Sequence, residues 1–323
     1  MSLEGPILIT GGLGYVGGRL ASHLRSAHPE LEIRLLSRSP RPEATWAKGF
    51  SVVKGDFLDS ASLGSALEGV KGVVHLAAPN EIASAQDPGM ALEVMGKGTL
   101  GLLEECYRAG VARVIYMSTF HVYNASAGTL ITEETLLRPV HPYGISHYLA
   151  EMVVNMFRSR GLETLIFRLS NGYGYPMDTG VDRWTLVFND LCRQAAKDKE
   201  LVLKSSGVAH RDFISLEDVG RAVNHFLTMP PGSWEDGLYN LGGDCSMSIL
   251  QMAEIIAKVA GEEMGRRVLV TPGPSHPSEK AVPVKYSIDR IRAKGFHPQH
   301  RVEEEVRKTI RLCSETIKRA TLH

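Results

Sequence analysis

At 323 residues, 43% of them hydrophobic, the chain can bury a sizeable core and hold one large α/β domain with an appended lobe. Lys plus Arg equal Asp plus Glu at 36 each, which excludes a global attraction to nucleic acid or an anionic membrane and favours a small polar ligand. Cys106, Cys192, Cys245 and Cys313 lack C-x-x-C spacing, and neither a basic leader nor about 18 continuous apolar residues occurs, so a cytoplasmic protein with reduced thiols is expected.

The first apolar run, Ile7-Leu8-Ile9, leads into Thr10-Gly11-Gly12-Leu13-Gly14-Tyr15-Val16-Gly17, after which Leu20, Ala21 and Leu24 take helical spacing. Strand, glycine turn and helix in that order predict a phosphate cradle. Gly11 permits the turn, Gly14 admits a pyrophosphate to the backbone, and Gly17 lets the helix pack close; unpaired N–H groups at the helix start then attract the anion. The second strand, 33–36, runs into Ser37-Arg38, 20 and 21 residues beyond Gly17. An NAD-binding protein places an acid there against the ribose 2′-hydroxyl, whereas a hydroxyl followed by a guanidinium suits a 2′-phosphate. NADP is therefore favoured over NAD, although stacking of Arg38 on adenine would leave NAD open.

Further apolar runs at 51–53, 73–76, 114–117 and 164–169 alternate with amphipathic stretches at 61–67, 91–109 and 143–159. This alternation predicts a parallel sheet covered on both faces. The regularity weakens after Gly174, and the stretch Pro272-Gly273-Pro274-Ser275-His276-Pro277 with helical patterns at 249–260 and 302–320 suggests a smaller C-terminal lobe forming the other side of a cleft. His297 and His300 flank Pro298, which argues against a regular helix presenting both rings to one ion. No metal site is expected. His75 reads as a packed strand-end residue, and His121 as either a cleft or a loop residue.

Several motifs in order resemble the extended short-chain dehydrogenase/reductases, the NAD-dependent epimerase/dehydratase family of nucleotide-sugar enzymes. They are Thr10 to Gly17, Gly55-Asp56, Val74-His75-Leu76-Ala77-Ala78, Ser118-Thr119 with Val122-Tyr123, and Tyr143-Gly144-Ile145-Ser146-His147. Arg168-Leu169-Ser170-Asn171-Gly172-Tyr173-Gly174, Arg211-Asp212-Phe213-Ile214 and Tyr239-Asn240-Leu241-Gly242-Gly243 follow. The resemblance implies a Rossmann-type doubly wound parallel sheet over 1–173, completed by about 209–245. A smaller substrate-binding lobe is then expected from 174–208 and 246–323. It further implies that Gly11, Gly14, Tyr15, Val16, Gly17, Ser37, Arg38, Asp56, Phe57, Leu76, Ala77 and Ala78 bind the dinucleotide together with Tyr143 and His147.

In such enzymes a Tyr acts as general acid/base, a Ser or Thr hydroxyl polarises the reacting oxygen, and a Lys four residues after the Tyr favours the phenolate and holds ribose. Tyr143 and Thr119 match the first two. The third position holds His147, an imidazole that is shorter and largely neutral at pH 7. Met95 likewise stands where the family usually has Asn. Three readings of His147 remain open: a protonated substitute for Lys, a ribose ligand beside a Tyr assisted by the nicotinamide's own charge, or a cofactor-binding or regulatory relative without turnover.

The resemblance assigns Asn171 and Arg211 to the substrate diphosphate. A turn role for Asn171, or an ion pair of Arg211 with Asp212 or Asp218, is the plainer possibility. Dehydratases follow the catalytic Thr with Asp-Glu; Phe120-His121 here leave 4-epimerisation first and NADPH-dependent 4-ketoreduction second. The family's four-helix packing implies a homodimer through 91–109 and 143–159, with Leu92, Leu102, Leu103, Leu149, Met152, Val153 and Met156 as the apolar residues available.

Overall fold

Four short, largely apolar stretches within the first 75 residues become neighbouring strands: β1 (Ile7–Thr10), β2 (Ile33–Ser37), β3 (Ser51–Lys54), which is mostly exposed at the edge, and β4 (Gly72–His75). The computed structural model describes residues 5–41, 43–125, 128–275 and 281–321, so the end of the Pro/Gly-rich stretch, at His276 and Pro277, lies outside the described residues. The strands β5 (Arg113–Thr119), β6 (Glu163–Leu169) and β7 (Leu238–Leu241) complete a seven-stranded sheet in the order β7-β6-β5-β4-β1-β2-β3. All its pairs are parallel. The order reverses between β1 and β4, and that switch point opens a crevice at the carboxyl ends of the strands.

Helices cover both faces. Leu20 and Leu24 of α1 (Tyr15–Ala27) pack with Ile9, Ile115, Val223 and Phe226 on one side; Leu102, Leu103, Val154 and Phe157 pack with Leu8, Val114 and Tyr116 on the other. The latter come from α2 (Thr99–Arg108) and α3 (Pro142–Arg158), while Val223 and Phe226 belong to a helix over Leu216–Thr228. A third core gathers Leu191, Ile256, Val306 and Ile310 from helices Val187–Lys197, Ile249–Met264 and Val302–Thr321 around Phe213. It meets the sheet domain at α1, where the fully desolvated Arg19 makes a two-pronged ion pair with Glu305 at 2.7 and 2.8 Å and lies 3.8 Å over the Tyr175 ring.

The stretch at 91–109 is not one regular helix. A short helix over Pro88–Leu92 passes into a π-helical turn, Glu93–Gly98, before α2 begins, and Met95 is buried in that turn. Leu102 and Leu103 are also fully buried and serve the subunit core, which corrects their expected place on an outer face. The exposed apolar side chains of this surface are Leu92, Ile145, Tyr148, Met152 and Met156. No helix among the described residues is long and apolar enough to cross a membrane.

Candidate active site

The carboxyl end of β1 turns at Gly11, whose φ of +66° favours glycine, and enters α1 at Gly14. A Cβ on Gly17 would stand 2.2 Å from the Gly11 carbonyl oxygen, so loop and helix touch only because that side chain is missing. Gly14 supplies no side-chain cap to α1. The first-turn N–H groups are thus left for an anion. Thr10 Oγ1 accepts from the Leu76 and Ala77 N–H groups at 3.1 and 3.2 Å and contacts His75 Nδ1 at 2.7 Å, fixing the loop after β4 against the glycine turn. His75 is the packed strand-end residue expected.

A groove of about 430 Å³ runs from this turn, lined by Gly11, Gly14, Ser37, Arg38, Phe57, Ala77 and Ala78. Arg38 is exposed along it, and Ser37 Oγ donates to the Ser39 carbonyl. Arg41 lines the same wall, held by the Leu13 carbonyl and Asp178; its place three residues after Arg38 was the signal available for it. Asp56 is not among the lining residues and accepts from the Leu58 N–H, while Gly17 lies behind the loop.

Tyr15, Val16, Leu76 and Ala78 continue into a cavity of about 240 Å³ that also receives Thr119, Tyr143, His147 and Asn171. The end of β5 delivers Thr119 and the first turn of α3 delivers Tyr143, with His141 accepting the Tyr143 N–H as helix cap. Burial pushes the phenol well above its usual pKa and Glu81 adds to this, while Arg183 and a hydrogen bond with the Thr119 hydroxyl oppose it. Glu81 and Arg183 form an ion pair of 2.9 Å on this cavity's wall. Neither carries a local motif that would have marked it in advance.

His147 stands one helical turn from Tyr143, with ring centroids 4.5 Å apart. Its Nδ1 lies 2.7 Å from the Tyr116 hydroxyl, and burial, aided by His75, pushes its pKa down to about 3. Burial thus favours a neutral imidazole over a protonated substitute for Lys. With Tyr116 as donor to Nδ1, the ring proton is on Nε2, a buried N–H without a hydrogen-bond partner among the described residues. Such an orphaned donor beside the cavity suits a polar ligand group such as a ribose hydroxyl.

A pH dependence of stability follows. His147 and His75 have folded pKa values of about 3 and about 4, against 6.5 for a free imidazole. Between these limits the unfolded chain binds protons that the fold excludes, so their contribution is complete above pH 6.5 and is lost with acidification, by about 1.4 kcal/mol per pH unit for each ring. Urea unfolding of wild type and His147→Gln from pH 7 to pH 4.5 checks this. A shallower pH slope is expected for the variant, and equal slopes contradict it.

Asn171, Ser170, Phe120 and His121 separate this cavity from a third, of about 580 Å³, which Arg211 lines with His141 and His210. Asn171 starts a strand over Asn171–Tyr173 and donates to the Asp212 carbonyl at 2.9 Å. Arg211 is exposed and donates to the His210 carbonyl. The plainer alternative for it is not met: Asp212 accepts from Ser170, Gly243 and Cys245, while Asp218 pairs with Arg221. Among the described residues no carboxylate pairs with Arg211, so its guanidinium is available to an anion on the cavity wall.

A switch-point sheet with a glycine cradle, and a Tyr–Thr pair in the adjoining cavity, define a fold of the extended short-chain dehydrogenase/reductase type. The chain belongs to the NAD dependent epimerase/dehydratase family, whose model matches residues 7–242. It is 27% identical to the UDP-glucose 4-epimerase of Streptomyces lividans over 278 residues, covering 80% of this chain and 82% of that one. It is 26% identical to the dTDP-D-glucose 4,6-dehydratase of Mus musculus over 323 residues, covering 94% and 87%. The solved structure of an epimerase from Methanothermobacter thermautotrophicus superposes with a TM-score of 0.81 at 25% identity, covering 97% and 93%.

Proposed function

We propose that the protein is an NAD(P)-dependent oxidoreductase/isomerase acting on a nucleotide-diphosphate sugar, and that its reaction is 4-epimerisation through a transient 4-keto sugar. One observation carries this reading: Tyr143 and Thr119 meet in a cavity that joins the glycine-cradled groove to a wall bearing Asn171 and Arg211. The uncapped start of α1 and the unpartnered His147 Nε2 fit a dinucleotide. When bound, the dinucleotide supplies an acceptor for the hydrogen and electron pair leaving the sugar carbon.

In this reading the Thr119 hydroxyl and the Tyr143 phenol hold the reacting sugar hydroxyl, and the phenol oxygen takes its proton. His147 orients ribose as a neutral donor. Asn171 and Arg211 hold the diphosphate, and Phe120-His121 in place of Asp-Glu after Thr119 set the site apart from a dehydratase. Anaerobic incubation with UDP-, dTDP-, GDP- and CDP-sugars tests the proposal: interconversion of C4 epimers without net reduction supports it, stoichiometric consumption of NADPH indicates a 4-ketoreductase, and dinucleotide binding without turnover indicates a sensor.

NADP is the favoured cofactor because Arg38 is exposed on the groove where an acid would select NAD. Arg38→Ala is expected to weaken NADP(H) binding tenfold or more, about 1.5–3 kcal/mol, and NAD(H) binding far less. Calorimetric titration with both cofactors checks this, and equal losses contradict it. The exposed Leu92, Ile145, Tyr148, Met152 and Met156 support a homodimer through this face. Light scattering at micromolar concentration is expected to give twice the subunit mass, with Met152→Asp shifting it to the monomer; a monomeric wild type excludes the dimer.

A further inference from the structure

We propose that His121, and not His147, is the proton relay of Tyr143, passing the phenol proton between the inner cavity and the outer, solvent-reached one. The proposal rests on the enzymatic reading above and adds where the proton goes. The Tyr143 phenol is held in its neutral form by burial, so it can accept a sugar hydroxyl proton only as its own proton leaves. His147 offers no exit. Its Nδ1 is occupied by the Tyr116 hydroxyl, and Tyr116 is itself buried and held far above its usual pKa.

His121 has the opposite placement. Its ring lies 5.7 Å from that of Tyr143, edge to face, and it lines the inner cavity with Tyr143 and the outer cavity with Arg211. The side chain is exposed, while its backbone N–H donates to Thr119 Oγ1 and Phe120 packs against its ring at 4.2 Å, so the imidazole is fixed beside both residues of the pair. Glu81 and Arg183 face it from the helix Glu81–Gln86 and the segment before Val187, His141 and His147 from α3, and Arg211 from the strand His210–Ser215. Partial desolvation between the two cavities pushes its pKa down, Glu81 raises it, and His141 and Arg211 lower it further, which favours the neutral ring as proton acceptor.

The proton balance is simple. The sugar hydroxyl proton goes to the Tyr143 oxygen, the phenol proton goes to the imidazole, and the electron pair and hydrogen of the sugar C–H bond go to the dinucleotide acceptor. The imidazolium then returns its proton along the same path when the carbonyl is reduced, or exchanges it with solvent through the outer cavity.

The test uses the full chain with bound dinucleotide and the nucleotide-sugar panel. For His121→Ala, kcat is expected to fall about 100-fold, with KM and dinucleotide affinity within about twofold of wild type, and added imidazole is expected to restore turnover. In wild type the oxidation rate rises with pH and levels off below the usual imidazole range, and that limb disappears in His121→Ala. A kcat within twofold of wild type, or a limb that survives in His121→Ala and is lost in His147→Gln, overturns the relay. If wild type turns over no sugar, the enzymatic reading fails, and an NMR titration of the His121 ring still decides the coupling. Tyr143→Phe is expected to move that titration by about half a pH unit or more, and an unmoved titration overturns the proposal.

Discussion

Tyr143→Phe is expected to lower kcat on the nucleotide sugar by about a thousandfold, leaving dinucleotide affinity within about threefold. The change removes one oxygen from a ring that otherwise keeps its place, since α3 is capped at His141 and the ring is flanked by His147 and His121. On the proposed reading, what is lost is the group of the pair that takes the sugar proton, since His147 Nδ1 is already engaged by the Tyr116 hydroxyl. Steady-state rates with fluorescence titration of the dinucleotide separate lost proton transfer from lost binding. Turnover within tenfold of wild type rules out the assigned role.

The second large effect is expected beneath the site. Arg168 on β6 forks onto Glu151 of α3 at 2.8 Å and donates to the Tyr123 hydroxyl, while Glu151 also accepts from Ser118, the neighbour of Thr119. Both charges are almost completely excluded from water. Removing one leaves the other uncompensated, so Arg168→Leu is expected to cost about 3–5 kcal/mol, whereas removing both with Glu151→Leu/Arg168→Leu costs much less. Urea denaturation of the three proteins reads this directly. A loss below about 1 kcal/mol for Arg168→Leu would show that the pair is not buried as described.

Much of this arrangement was legible in the residues themselves. Six of the seven strands of the main sheet contain short apolar runs and α1 announces itself by its glycine turn, because both signals are local. The seventh strand, Leu238–Leu241, was marked only by the motif that contains it, since four residues with Asn240 in their midst carry little periodicity. The π-helical turn at Glu93–Gly98 was hidden for a related reason: one wider turn hardly disturbs an apolar stripe read at 3.6 residues per turn. That reading also offered Leu102 and Leu103 to an outer face, whereas their place depends on what α2 packs against, which is the core.

At the site, Thr119, Tyr143, Asn171 and Arg211 were marked by the family resemblance and are brought to adjoining cavities. The charge state of His147 was not accessible in the same way. It depends on burial and on a strand tyrosine 31 positions away, and no pattern along the chain announces that Tyr116 and His147 share a hydrogen bond. Glu81 and Arg183 are similarly a tertiary product, joined across 102 positions.

The ion pair between Arg19 and Glu305 has a consequence for biosynthesis. Arg19 is in the helix that opens on the dinucleotide, yet its charge finds its buried partner only after 286 further positions have been translated. Until Val302–Thr321 leaves the ribosome, Arg19 has only the longer contact to the partly exposed Glu217 at 3.4 Å and lacks its two-pronged partner. The first helix to be synthesised therefore gains its full buried pairing late, and a nascent chain halted before Val302–Thr321 holds its glycine cradle without the two-pronged lock.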